Sequence, residues 1–361
     1  WGRKRCRTIV LMSAYAFIFP IFSSNSQSIE EGHYQQEEVF IHQAKGSAEA
    51  EVKLLSDQSG NPVMYTSHLI SAVCSDGICK PIDIHLYWDL LGKFYRYQTS
   101  DEEELTKFDH EPFTEEDHAR LHEILSDENS ILQDYEVEDL IDTDRKLHSD
   151  EIDGVTGATN ITFRDASVEG AMYTVYTLWH FINGDVRNKI FAHTKSLLSE
   201  SLIRYMLQSE KGDYHNFIFN NLSDSQRKKF APEIISLISS KDIYTPHFAI
   251  QQLTDDVLAD SIHQAAVLEQ FASVPPVVQN SLLARIESQP IYNVGIRALL
   301  ESVPQLASNQ LDRVFLIIGR NKASIDKLNM KALKNLTLQP EKDFSYFAER
   351  ILDQVSDSSN P

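Results

Sequence analysis

Residues 63–73 and 82–97 are rich in β-branched and aromatic side chains and read as strands framing an Asp76-Gly77 turn. The second run opens Ile82-Asp83-Ile84-His85-Leu86-Tyr87-Trp88-Asp89, alternating apolar and polar as a half-buried strand does. A polar lead, Gln27–Glu38, precedes this region, and residues 39–98 as a whole are expected to be mainly strand. After an acidic loop at 99–113, Thr114 with Asp117 three residues on forms a capping-box pair that predicts a helix to about Leu125. Residues 134–152 form an acidic connector. A second helix is expected from Asp165 to Phe181, with Val168, Ala171, Met172, Val175, Leu178, Trp179 and Ile182 on a broad apolar face and Asn183-Gly184 at its end.

From about Lys189 helix signals recur every 15–20 residues. Starts are expected at Ser223 (with Gln226 as box partner), Thr245-Pro246, Pro275-Pro276, Ser308 and Ser324. An apolar kernel repeats in Phe217–Leu222, Phe248–Leu253 and Val294–Leu299. Its irregular spacing predicts short helical hairpins stacked as a HEAT-like array, with a plain helical bundle as the alternative. The expected fold is therefore an α+β domain over 29–185, with a small antiparallel or mixed sheet and helices. An all-α, HEAT-like helical-repeat domain follows over 186–355, then a disordered tail over 356–361.

The N-terminus adds a compartment. Arg3, Lys4, Arg5 and Arg7 precede a nearly uninterrupted apolar run to Phe22, followed by small and polar residues, so residues 1–27 read as a signal peptide. The apolar run is shorter than a bilayer span, and no other segment qualifies, so no transmembrane span is expected in the mature chain. Export to the periplasm or cell envelope is the expectation. An uncleaved anchor or a buried strand is the alternative. Cys6 would leave with the leader, and Cys74 and Cys79, flanking Asp76-Gly77, are then expected to form a small disulfide loop.

Across 361 residues, 33 Lys+Arg stand against 53 Asp+Glu, a formal charge of −20. Losing the leader's four basic residues takes this from −20 to −24. Such a balance argues against nucleic acid as a partner. Hydrophobic residues at 42% supply real cores, and three cysteines exclude a cysteine-ligated cluster. There is no P-loop, GxGxxG or GxSxG. His118 and His122 stand at i, i+4 without an HExxH pattern, which suits a polar helix face better than a metal site. The acidic run 139–153 lacks an EF-hand's glycine and ligand spacing. Tyr173, Tyr176 and Trp179, like Tyr87 and Trp88, are ring-stacking candidates but are expected in the core.

The sharpest local pattern is Asp153-Gly154-Val155-Thr156-Gly157-Ala158-Thr159, running through Asn160-Ile161-Thr162 toward the helix. Small residues allow a bulky group close to the backbone, and amides ahead of a helix can hold phosphate. A tight loop whose Asp and Thr side chains satisfy backbone groups is the alternative. The stretch resembles the flavin-attachment motif of the FMN-binding domain in the C and G subunits of sodium-pumping and Rnf-type electron-transfer complexes. That motif is an Asp, two free positions, Ser/Thr, Gly, Ala and the Ser/Thr that accepts FMN. Asp153, Thr156, Gly157, Ala158 and Thr159 fill every fixed position. A chance match in a chain this long is on the order of 0.1%. Ile161 stands where a second hydroxyl is common. The resemblance covers about 150–182 and implies covalent FMN on Thr159, installed by a flavin transferase outside the cytoplasm. It further implies an electron-transfer module, a carrier more than a self-sufficient enzyme, whose helical domain docks a redox or scaffold partner. The rival expectation is a non-catalytic scaffold with a degenerate, unflavinylated domain.

Overall fold

The computed structural model describes residues 34–45, 47–72, 80–99, 104–107, 110–140 and 161–357. Five strands, β1 (Gln35–His42), β2 (Ala50–Ser56), β3 (Pro62–Ser71), β4 (Ile82–Trp88) and β5 (Phe94–Gln98), form an antiparallel meander in chain order. Alternation sets the inner face. Ile82, Ile84, Leu86 and Trp88 are buried, as are Tyr65 and Leu69 of β3 and Val52 and Leu54 of β2. Leu86 lies opposite both Ser67 and Tyr97, so the apolar rows run across the strands.

Two strand expectations change. Residues 82–97 are a hairpin and not one strand. Asp89 Oδ1 accepts from the Leu91 and Lys93 amides at 2.9 and 3.1 Å, and Gly92 takes φ +77°, closing a turn. Leu90 and Leu91 conceal that turn in the sequence because it is itself buried, docked on the helices. β1 also begins inside the polar lead: Gln35–Glu38 pair with Ser56–Lys53. An edge strand can be built from backbone pairing without an apolar pattern.

Helix α1 (Glu115–Ser126) starts at the Thr114–Asp117 capping box as expected. Helix α2 (Met172–Asn183) starts seven residues later than expected. The Ala171 amide bonds to the Val168 carbonyl and Gly170 takes φ +76°, so Val168 and Ala171 are buried by a turn and not by a helix face. Asp165 does not cap α2; its carbonyl accepts from Arg120.

The remainder is helical: α3 (Asp185–Ser196), α4 (Glu200–Gln208), α5 (Gly212–Phe219), α6 (Asp224–Lys229), α7 (Ala231–Ser236), α8 (Thr245–Gln252), α9 (Asp255–Leu258), α10 (Ser261–Glu269), α11 (Pro276–Ile286), α12 (Asn293–Ser302), α13 (Ser308–Arg320), α14 (Lys327–Leu336) and α15 (Asp343–Asp357). The Ser223–Gln226 box opens α6 as expected. The last start moves from Ser324 to Asp326, whose carboxylate accepts from the Asn329 amide at 2.8 Å. Neighbour relations define two layers. Helix α4 packs on α7, then α10, α12 and α14 in succession, while α5 packs on α8, then α11, α13 and α15. The first two sequence kernels fall in the second layer, on α5 and α8, and the third falls in the first layer, on α12. They are not equivalent positions.

Sheet and helices share one contiguous core. The Trp88 indole donates to the Ile182 carbonyl at 3.1 Å, and the Tyr65 hydroxyl is shared between His193 Nδ1 and Thr194 Oγ1, both at 2.9 Å. No helix among the described residues is long and apolar enough to cross a membrane.

Candidate functional site

Asp153, Thr156, Gly157, Ala158 and Thr159 lie outside the described residues, as do Cys74 and Cys79. What is described is the frame from which the motif segment departs and to which it returns. The chain enters 141–160 from 3₁₀ turns at Ile131–Asp134 and Val137–Leu140, and leaves it into a third at Ile161–Ala166. The two sides meet. The buried Phe163 ring stands edge-on to Tyr135, centroids 4.9 Å apart at 90°. The described flanks of 141–160 thus lie together, on helix α2.

Helix α2 is the base of that place. Its apolar residues enter the core, and its amphipathic rings use their polar tips to hold the frame. The Tyr176 hydroxyl donates to the Tyr135 carbonyl at 3.0 Å, the Trp179 indole to the Asp127 carbonyl at 2.9 Å, and the Asn183 amide to the Leu125 carbonyl at 3.0 Å. Tyr176 and Trp179 are thus core residues, as expected, while Tyr173 is half-buried. The first turn of α2 has no side-chain cap.

One polar atom in the frame is unsatisfied. His180, in ring contact with Tyr176 (4.2 Å) and Trp179 (5.1 Å), has its Nε2 buried without a hydrogen-bond partner. Burial lowers its pKa, and Lys45 acts in the same direction; the Leu132 backbone and Glu136 oppose them. Lys45 and Glu136 form an ion pair that ties the β1–β2 connection to the second 3₁₀ turn. A buried nitrogen without a partner is costly.

The remaining candidates do not converge on this place. His118 Nδ1 bonds to the Tyr97 hydroxyl at 2.8 Å, and His122 lies against Phe94, so the pair is used in packing. Trp88 is core, while Tyr87 lies on the outer sheet face under Arg96 at 4.5 Å. That face also holds a pairing that sequence reasoning missed. His68 and His85 are directly opposite and stacked at 4.3 Å, with Asp83 Oδ1 2.6 Å from His68 Nε2. Only the strand register brings them together. Among the described residues no three His, Cys, Asp or Glu side chains are arranged to hold a metal. A groove of about 420 Å³ between α13 and α15, walled by Phe315, Leu316, Phe347 and Ile351, belongs to the other end of the array.

Comparison with known protein families, curated proteins and solved structures finds no match.

Proposed function

We propose that this chain is an exported redox module carrying FMN covalently on Thr159, with a HEAT-like array of helical hairpins that docks a partner. The observation that carries the reading is the complete attachment pattern Asp153, Thr156, Gly157, Ala158 and Thr159. The attachment joins Thr159 Oγ1 to the FMN phosphorus of FAD; the pyrophosphate bond breaks and AMP leaves. A separate Mg-dependent flavin transferase in the export compartment performs this step. The frame around the segment supports the reading in two ways. The described flanks of the segment meet at Tyr135 and Phe163, beside helix α2. His180 Nε2, buried without a hydrogen-bond partner, lies in the same frame. Bound FMN supplies one- or two-electron transfer, and the protein's part is to hold it and tune its surroundings. No NAD(P)H-binding pattern occurs in the sequence, which favours a carrier over a self-sufficient enzyme.

The HEAT-like assignment is supported by the two-layer order of α4–α15, in which each hairpin touches its neighbours. Taken alone, that array fits the second reading, a non-catalytic scaffold with an unmodified loop. Co-expression with a flavin transferase separates the two. The denatured protein should fluoresce in the gel, and peptide mapping should place the FMN adduct on Thr159. Thr159→Ala should abolish attachment, Thr159→Ser should retain part of it, and Thr162→Ala should leave it intact. Gly157→Val should block it by crowding a turn that must enter another active site. Flavin on Thr162, or none despite an active transferase, overturns the redox reading and leaves the scaffold.

A further inference from the structure

Three successive helices of the first layer start with an exposed aliphatic residue at the same position. Ile262 of α10, Val294 of α12 and Leu328 of α14 are each the second residue of their helix, and they are 77%, 38% and 56% exposed. The starts of these helices are locked side by side. The Gln264 amide donates to the Pro290 carbonyl at 2.8 Å and accepts from the Tyr292 amide at 2.8 Å. The Tyr292 hydroxyl donates to the Ala259 carbonyl at 2.8 Å, and the Asn329 amide donates to the Asn293 carbonyl at 3.0 Å. The three side chains therefore form one row along one edge, spaced by the separation of packed helices, about 8–10 Å. Tyr292, 39% exposed, stands in the same row. Nothing about starting these helices requires the row, because Asp260 and Asp326 already cap α10 and α14.

Charge along this edge changes sign. Asp255, Asp256 and Asp260 are exposed at the α10 end, and Lys327 and Lys331 at the α14 end. Asp326, next to Lys327 at the α14 end, is matched by Arg297 at 3.0 Å. Asp255 also contacts Arg285 at 2.8 Å yet keeps its side chain 77% exposed.

We infer that this edge docks an amphipathic helix of a partner protein. The helix lies across α10, α12 and α14, with its acidic first turn over Lys327 and Lys331 and its basic last turn over Asp255, Asp256 and Asp260. Seven helical residues advance about 10.5 Å, so apolar side chains at i, i+7 and i+14 meet Leu328, Val294 and Ile262 in turn. The polarity matches the charges a helix prefers at its own ends. This inference rests on the reading of the helical half as a docking module and is independent of the flavin.

The probe is a labelled 18-residue peptide with Leu at positions 2, 9 and 16, Glu in its first turn, Lys in its last, and Ala and Gln elsewhere. Binding to the full chain is followed by fluorescence anisotropy. Saturable binding is expected at or below about 100 μM, with the charge-inverted peptide at least about fivefold weaker. The combined variant Ile262→Ser, Val294→Ser, Leu328→Ser should bind at least about tenfold more weakly while keeping its circular dichroism and thermal midpoint. Absence of saturation by about 1 mM, or equal binding by the triple variant, overturns the inference. A dimer in sedimentation that the same triple variant abolishes assigns the edge to a second copy and also overturns it. Thr159→Ala protein must bind the peptide unchanged, so failure of docking and failure of flavin attachment are read separately.

Discussion

His42 offers the cleanest test of the sheet–helix junction. The residue ends β1, is 1% exposed, and lies on Phe181 with ring centroids 4.8 Å apart. Neither ring nitrogen has a hydrogen-bond partner of good geometry. Burial, helped by Lys189, lowers its pKa to about 4, against the weaker opposing effects of the Phe181 backbone and Asp185. The native state therefore refuses a proton that the unfolded chain accepts near its ordinary value of about 6.5. The stabilising contribution is complete above about pH 6.5 and is lost as the pH falls toward about 4. Integrated between pH 8 and pH 5, the loss is about 2 kcal/mol, a large fraction of a typical folding free energy. His42→Leu keeps the volume similar, removes the titration, and leaves no unpaired polar group in the core. Urea unfolding followed by tryptophan fluorescence at several pH values reports the difference, because Trp88 packs on Phe181 at 6.3 Å. His85, His118, His180, His193 and His215 are shifted downward too, so both proteins should lose stability in acid. The variant should lose about 2 kcal/mol less. Identical acid limbs for the two proteins would refute the burial argument.

Gln264→Leu removes three hydrogen bonds, two from its amide to the Leu258 and Pro290 carbonyls and one accepted from the Tyr292 amide. It should cost about 3 kcal/mol and speed hydrogen exchange at Tyr292 specifically; a loss under about 1 kcal/mol would mean those backbone groups are solvated. Gly92→Ala should cost about 2–3 kcal/mol, since φ there is +77° and a Cβ would meet the Arg187 carbonyl at 2.8 Å. Thermal unfolding at the native level would show that the β4–β5 turn does not sit on α3.

Where a local rule decides the structure, the sequence could be read. The Thr114–Asp117 and Ser223–Gln226 boxes place two helix starts, because a cap needs only residues three apart. The alternation of β4 picks the inner face for the same reason. Where tertiary burial decides, reading failed. Leu90 and Leu91 look like strand and form a turn because that turn is covered by helices. Gln264, Gln310 and Asn329 look like surface residues and are buried at 1%, 3% and 0%, since each satisfies groups of a neighbouring hairpin. The kernel on α12 looks like those on α5 and α8 yet belongs to the other layer, because two stacked layers have the same apolar requirement. In the candidate site, the attachment pattern is legible residue by residue. The pinning of its flanks at Tyr135 and Phe163, and the orphan nitrogen of His180, depend on contacts between distant segments and leave no trace in spacing.

The junction between sheet and array bears on how the two proposed functions would work together. Three links cross it at different heights: Trp88 to Ile182, Tyr65 to His193 and Thr194, and the Leu90 amide to the Tyr214 hydroxyl at 3.3 Å. Burial holds Tyr65 at a pKa of about 12 and pushes Tyr214 up further, so both hydroxyls stay protonated, able to donate as well as accept, at any working pH. Helix α2 sits at the centre of this arrangement, bonded by Trp179 and Asn183 to the end of α1 and by Tyr176 to the frame of the motif segment. Only Gly184 separates α2 from α3, so the frame of the motif segment and the first helix of the array are joined directly. On the flavin reading, electron transfer would then depend on where the partner docks and on the reach of the segment carrying Thr159.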